Sequence, residues 1–347
     1  MLEFRKIFRL LTLWSIYIFQ SCGEPTLDFI QNNELYLVIN GFISPNKTVD
    51  GIYISRALAI EEEFSQFEIY IKDAKVEIQE LDSDGSIIAR QILVSRENVH
   101  VDTLEIKTVW EDEFGNPVLD ENGKEVLVDK TIFDTTVRWE YYDPTNSFQV
   151  KHNTSYKLDV EYDGVKAWST TTVPDSGFKL LGTVQGKNEF VYGIENPILA
   201  WESSENHKTN GYYTITIRPK EYNKSNFIYN NIFSAFEDTT KLSEEEWVDF
   251  ADFMRGQSYT VEFDDGSVIN HQLIWFKFWF YTNYEIVVHA CDKNYYDHAL
   301  MLTIGNQEPD GNFAEGLNHV EGKGFGVFAG VVSDTLELRI TNYENNL

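Results

Sequence analysis

Residues Ser155 to Pro174 read SYKLDVEYDGVKAWSTTTVP, and their alternation of apolar and polar side chains decides the fold. A period of two belongs to a strand with one buried face, not to a helix. Asp163-Gly164 divides the stretch into two alternating runs, and both residues tolerate the positive φ of a two-residue hairpin turn. Pro174 ends the second run because it has no N–H to give a ladder.

The same pattern extends upstream. ELYLVINGFIS, GIYISRALAI and FEIYIKDAKVEIQELDSDGSIIARQILV are all β-patterned, and Asp84-Gly85 marks a further hairpin in the last. An acidic insertion, residues 101–146, separates the hairpins. Within it EFGNPVLD and ENGKEVLV repeat Glu113 as Glu121 and Gly115 as Gly123, which predicts successive turns of one decorated hairpin. Asp120 to Gly123 resembles a calcium loop only in part, since Val118 stands where the first carboxylate belongs; a solvated turn is the expectation.

PDSGF, residues 174–178, is the expected domain boundary, and strand patterning restarts in FKLLGTVQ, PILAWESS and GYYTITIRPK. Two blocks of short strands predict an all-β protein of two β-sandwich-like domains of immunoglobulin or fibronectin type, residues 35–174 and 175–347. Trp201 has no flanking cysteine pair, which favours the fibronectin-like variant. A helical insertion is expected at about 244–255. Ser243 caps it, Glu246 completes a capping box, and Trp247, Phe250, Ala251 and Met254 form its apolar face.

The most unusual segment is LIWFKFWFYTNYEI, residues 273–286. As a strand it would send Ile274, Phe276, Phe278 and Phe280 to one face and Trp275, Lys277, Trp279 and Tyr281 to the other. One face is core. Trp275, Trp279 and Tyr281 are either covered by the helix or exposed as a platform for a ligand or partner. Near the C-terminus, Gly324, Gly326 and Ala329 match the spacing of a dinucleotide loop, but no strand precedes them and β-formers follow. The expectation is glycines that let the chain lie flat against a sheet.

No G-x-S-x-G elbow, H-E-x-x-H pair or P-loop occurs, so no catalytic residue and no cofactor is expected. His289 and Cys291 share a strand face without further ligands nearby, which predicts core packing and no metal. The net charge of −28 repels nucleic acid.

The chain opens with Arg5, Lys6 and Arg9, an apolar run from Leu10 to Phe19, and Gln20-Ser21-Cys22, the order of an export signal. A small residue followed by cysteine resembles the lipobox of bacterial lipoproteins. The resemblance implies a signal peptide over residues 1–21 and acylation of Cys22; the stretch that follows lacks a periodic apolar pattern and reads as a tether, residues 22–34. Removing the leader takes away one acidic and three basic residues, leaving 55 against 25 and a net charge of −30.

Together with that leader, ELYLVINGFIS, YKLDVEYDGVKAWSTTTVP, NYYDH at 294–298 and GKGFGVFAG resemble the domain-of-unknown-function family 4249, lipoproteins of Bacteroidota. The resemblance implies outer-membrane attachment and a gene beside a TonB-dependent receptor. Asp102-Thr103-Leu104, Asp134-Thr135-Thr136, Asp238-Thr239-Thr240 and Asp334-Thr335-Leu336 are similar to that phylum's O-glycosylation sequon. The expected function is a non-catalytic outer-membrane lipoprotein that assists a TonB-dependent transporter or binds its ligand. A surface hydrolase acting on glycan or peptide, and a structural or adhesion protein, are the alternatives.

Overall fold

A computed structural model describes residues 34–57, 69–109, 117–118, 127–207, 211–221, 226–228, 257–263, 266–305 and 318–342. The leader, Cys22 and the expected helix at 244–255 lie outside the described residues. The first strands are β1 (Leu37–Ile43), β2 (Ile52–Arg56), β3 (Lys75–Leu81), β4 (Ile87–Val109), β5 (Leu127–Tyr142), β6 (Ser155–Tyr162) and β7 (Val165–Thr172). They are followed by β8 (Lys179–Thr183), β9 (Glu189–Val191), β10 (Ile198–Glu202), β11 (Gly211–Pro219), β12 (Gln257–Phe263), β13 (Val268–Gln272) and β14 (Asn283–Cys291). Helix α1 (Lys293–Gly305) precedes β15 (Val320–Gly322) and β16 (Gly324–Thr341). The fold is all-β and sandwich-like.

One ladder runs β12-β11-β14-β16-β1-β2-β5-β4-β3-β6-β7-β15, with β9 added on β16. A second sheet has the order β13-β10-β8. Strand β16 joins the two blocks. Its first residues, Gly324 to Gly330, pair in parallel with β1, and the continuation from Val331 pairs antiparallel with β14. β15 pairs with β7, so residues 320–330 bond into the strands of the first block.

The glycines before and within β16 explain how it can lie there. A Cβ at Gly326 would stand 2.0 Å from the Ile39 carbonyl oxygen, and one at Gly330 would stand 2.7 Å from Val173 Cα. The ladder rolls over until β7 packs on β16, and only a chain without side chains at these points can approach so closely. The Asp163-Gly164 turn takes φ of 46° and 75°, positive at both residues as a type I′ hairpin requires.

The second block packs its core between β11-β14-β16 and the small sheet, around Trp201, Tyr213, Ile215, Phe278, Phe280 and Ile286. Segment 273–281 is not the expected strand. Trp275–Lys277 forms a 3-10 turn, closed by Lys277 N–H to Ile274 O and Phe278 N–H to Trp275 O, each 3.0 Å. The reason is burial: Phe278, Trp279 and Phe280 all enter the core in succession, which a strand's alternation forbids. The Tyr284 hydroxyl holds this bend, accepting the N–H of Trp279 (3.0 Å) and of Phe280 (2.8 Å) and donating to the Phe280 carbonyl (3.0 Å).

Candidate functional site

Alternation fixes which side chains leave the first sheet outward. Val76, Ile78, Leu158, Val160 and Ala167 turn inward and are buried, so their neighbours take the opposite, outer face of the sheet. Register then lines those neighbours up across the strands. One row reads Ile92, Glu77, Asp159, Trp168 and Glu321; the next reads Arg90, Gln79, Lys157 and Thr170; a third reads Lys75, Glu161 and Lys166. Lys75, Glu77, Gln79, Arg90, Asp159 and Trp168 line a groove of ≈ 360 Å³ on this face.

The groove is internally braced. Gln79, only 8% exposed, donates from Nε2 to Glu77 Oε1 and to Asp159 Oδ2, both at 2.8 Å. Lys157 pairs with Asp159 at 2.6 Å and lies 5.6 Å from the Trp168 ring centre. Gly322 backs the indole: a Cβ there would come 2.8 Å from Trp168 Cζ3 and 2.5 Å from the Lys166 carbonyl oxygen. Carboxylates, ammonium groups, an amide and an indole therefore present donors and acceptors in fixed places.

The sequence contained one signal for this site. Trp168 occupies an outward position of β7, and a large aromatic on the solvent phase of an otherwise regular strand marks either packing or binding. Glu77, Gln79 and Arg90 gave none, because charged residues on an outward phase are ordinary.

The residues singled out in the aromatic segment separate. Trp279 is 6% exposed and stacks beside Phe227 at 6.3 Å, so it offers no face to a ligand. Trp275 and Tyr281 are half-buried and converge on Tyr192, with ring centres 5.3 and 6.0 Å away. Tyr281 also lines a second concavity of ≈ 480 Å³ with Glu189, Glu221, Asn283 and Arg339. Burial raises the Tyr192 hydroxyl well above the usual phenol range.

Cys291 is fully buried, its thiol donates to the Tyr212 carbonyl at 3.4 Å, and burial pushes its pKa well up. His289 Nδ1 instead meets Ser333 Oγ at 2.7 Å. No group of three metal-ligating side chains occurs among the described residues.

The NYYDH stretch begins α1 and works as a fastener. Asp292 caps the helix by accepting Tyr295 N–H at 3.1 Å and also accepts the Thr171 hydroxyl. Asn294 Nδ2 donates to the carbonyls of Thr170 (2.7 Å) and Phe328 (2.9 Å). Asp297 holds Lys293 at 2.5 Å and His319 at 2.6 Å. These contacts bind β7, β16 and the approach to β15 to one helix.

No curated protein matches the chain. Among solved structures, CBD12 from CALX1.2 matches at 9% identity, covering 87% of this chain and 100% of that one, with a TM-score of 0.17. The family model described as Domain of unknown function (DUF4249) matches residues 24–335, and with a match over most of its length the chain belongs to that family.

Proposed function

We propose that the chain is a non-catalytic, lipid-anchored binding protein of the outer membrane, of the Bacteroidota lipoprotein kind. It acts as an accessory to a TonB-dependent transporter. The observation that carries the binding role is the braced groove on the outer sheet face, whose polar groups are fixed by strand register. Preorganised groups lose little freedom when a ligand arrives. The anchor and the transporter rest on the Cys22 leader and on the family resemblance.

Binding fits the groove better than hydrolysis does. Glycoside cleavage by two carboxyl groups needs one of them to give up a proton. Here a single amide NH₂ donates to Glu77 Oε1 and Asp159 Oδ2 together, so both carboxyl groups are engaged in bracing the groove.

Affinity purification of the full-length protein in mild detergent tests the role. A β-barrel receptor should co-elute in stoichiometric amount. Recovery without any barrel partner would count against the accessory role, and polymer turnover abolished by Glu77→Gln would replace binding with hydrolysis.

A further inference from the structure

We infer that the groove on the outer face of β4-β3-β6-β7 takes a short saccharide, with Trp168 as its wall and Gln79, Arg90 and Lys75 among its hydrogen-bonding contacts. The inference rests on the binding reading above and names the ligand class.

Charge balance comes first. Four cations, Lys75, Arg90, Lys157 and Lys166, face four anions, Glu77, Asp159, Glu161 and Glu321, over the same rows. Such a surface has no net field to select a simple ion. It has instead a dense alternation of donors and acceptors, at about 4.8 Å from strand to strand and about 6.6 Å between same-face residues along a strand. A ligand that satisfies both kinds in many directions must itself carry groups that donate and accept, and vicinal hydroxyls do so.

Two of the cations stand ready. Among the described residues Lys75 and Arg90 have no ion-pair partner, whereas Lys157 and Lys166 are paired with Asp159 and Glu161. Lys75 and the Arg90–Gln79 pair lie four residues apart on β3, about 13 Å. That span, with a volume of ≈ 360 Å³, suits a short oligosaccharide. The indole of Trp168 adds an apolar surface with a polar edge, which matches the C–H face and hydroxyl rim of a pyranose.

A peptide is the poorer fit. Extended peptides are recognised by adding a strand at a sheet edge, where backbone groups are free. At the centre of this groove β3 and β6 are paired on both sides and β7 is covered by β15 at Ala167–Ser169, so these backbone groups are already spent on one another.

The test is calorimetric titration of the full-length protein in detergent with neutral gluco-, manno- and xylo-oligosaccharides and with oligogalacturonates. At least one should bind. Trp168→Ala and Gln79→Ala should each weaken it by roughly tenfold or more. Trp168→Phe should keep most of the affinity, and Tyr281→Ala, in the other concavity, should leave it unchanged. A preference for the acidic sugars would assign their carboxylates to Lys75 and Arg90; a preference for the neutral ones would assign hydroxyls there. Failure of all probes, or binding that survives both Trp168→Ala and Arg90→Ala in folded protein, overturns the saccharide. A barrel partner still co-purifying would then leave the accessory role intact, so the two failures are distinguishable.

Discussion

Single residues carry tolerances that differ by position within one residue type. Gly326 has φ of 108° and no room for a Cβ, while Gly85, at φ 82°, has no atom within 4 Å of where its Cβ would be. Gly326→Ala should therefore cost about 3 kcal/mol or more, combining backbone strain with a backbone clash. Gly85→Ala should cost about 1–2 kcal/mol from conformation alone. Urea unfolding of both variants checks the ranking, and equal losses would refute it. Titration at two further residues works in opposite senses. Burial raises Asp292 to about 6, against the Thr171 and Tyr295 hydrogen bonds, and lowers His289 to about 4, helped by Arg218. The raised Asp292 contributes stability that is full below its unfolded pKa and is lost as pH rises through 6. The depressed His289 contributes stability that is present above 6.5 and is lost as pH falls through 4. Each is worth about 3 kcal/mol at most, so they offset one another between pH 4 and 6. His207, His271 and His298, all depressed by burial, act in the same sense as His289. Asp292→Asn should thus steepen the loss of stability on acidification from pH 6 to 4, and parallel profiles for variant and wild type would sink the assignment.

Elements depart from local pattern where burial demands it. Segment 273–281 has the alternation of a strand and the conformation of a turn, because three consecutive aromatic rings gain more by entering the core than by sharing it between two faces. Trp279→Ala should consequently lower stability by about 3–5 kcal/mol. Tyr284→Phe should cost about 1–3 kcal/mol, since it removes three hydrogen bonds from the bend while sparing most of the packing. Thermal melts of both, beside partner and ligand capture, give the test: loss of capture by Trp279→Ala with an unchanged melting temperature would return that indole to the surface. Strand β4 shows the same tension on a larger scale. Its first residues pair with β3 and the remainder, from Val94 to Val109, with β5, so the inserted residues extend a hairpin out of the sheet. The two long strands are in register over 16 pairs, Val94↔Tyr142 to Val109↔Leu127, while most of the acidic repeat between them lies outside the described residues.

At the scale of the molecule, no described helix is long and apolar enough to cross a membrane. Under the proposed function, membrane attachment rests on Cys22. Cys22→Ala should move the protein from the membrane to the soluble fraction and abolish palmitate labelling; retention of either would refute the anchor. Two or three acyl chains give stable anchoring where one gives only marginal binding. The body they would hold carries a net charge of −30 once the leader is removed. Its sheet-face groove, by contrast, is locally balanced, which separates ligand recognition there from the long-range field of the whole chain.

The sequence by itself determined the all-β class, the Asp163-Gly164 hairpin, the close-packed role of the terminal glycines and the family, because each depends on local periodicity, on φ preference or on a motif. It did not reveal that residues 320–330 return to the first block, or that Glu77, Gln79, Asp159 and Trp168 come together. Both are matters of register between strands distant in the chain. Alternation says which face a side chain takes and nothing about which residue lies opposite, so only the assembled ladder could decide them.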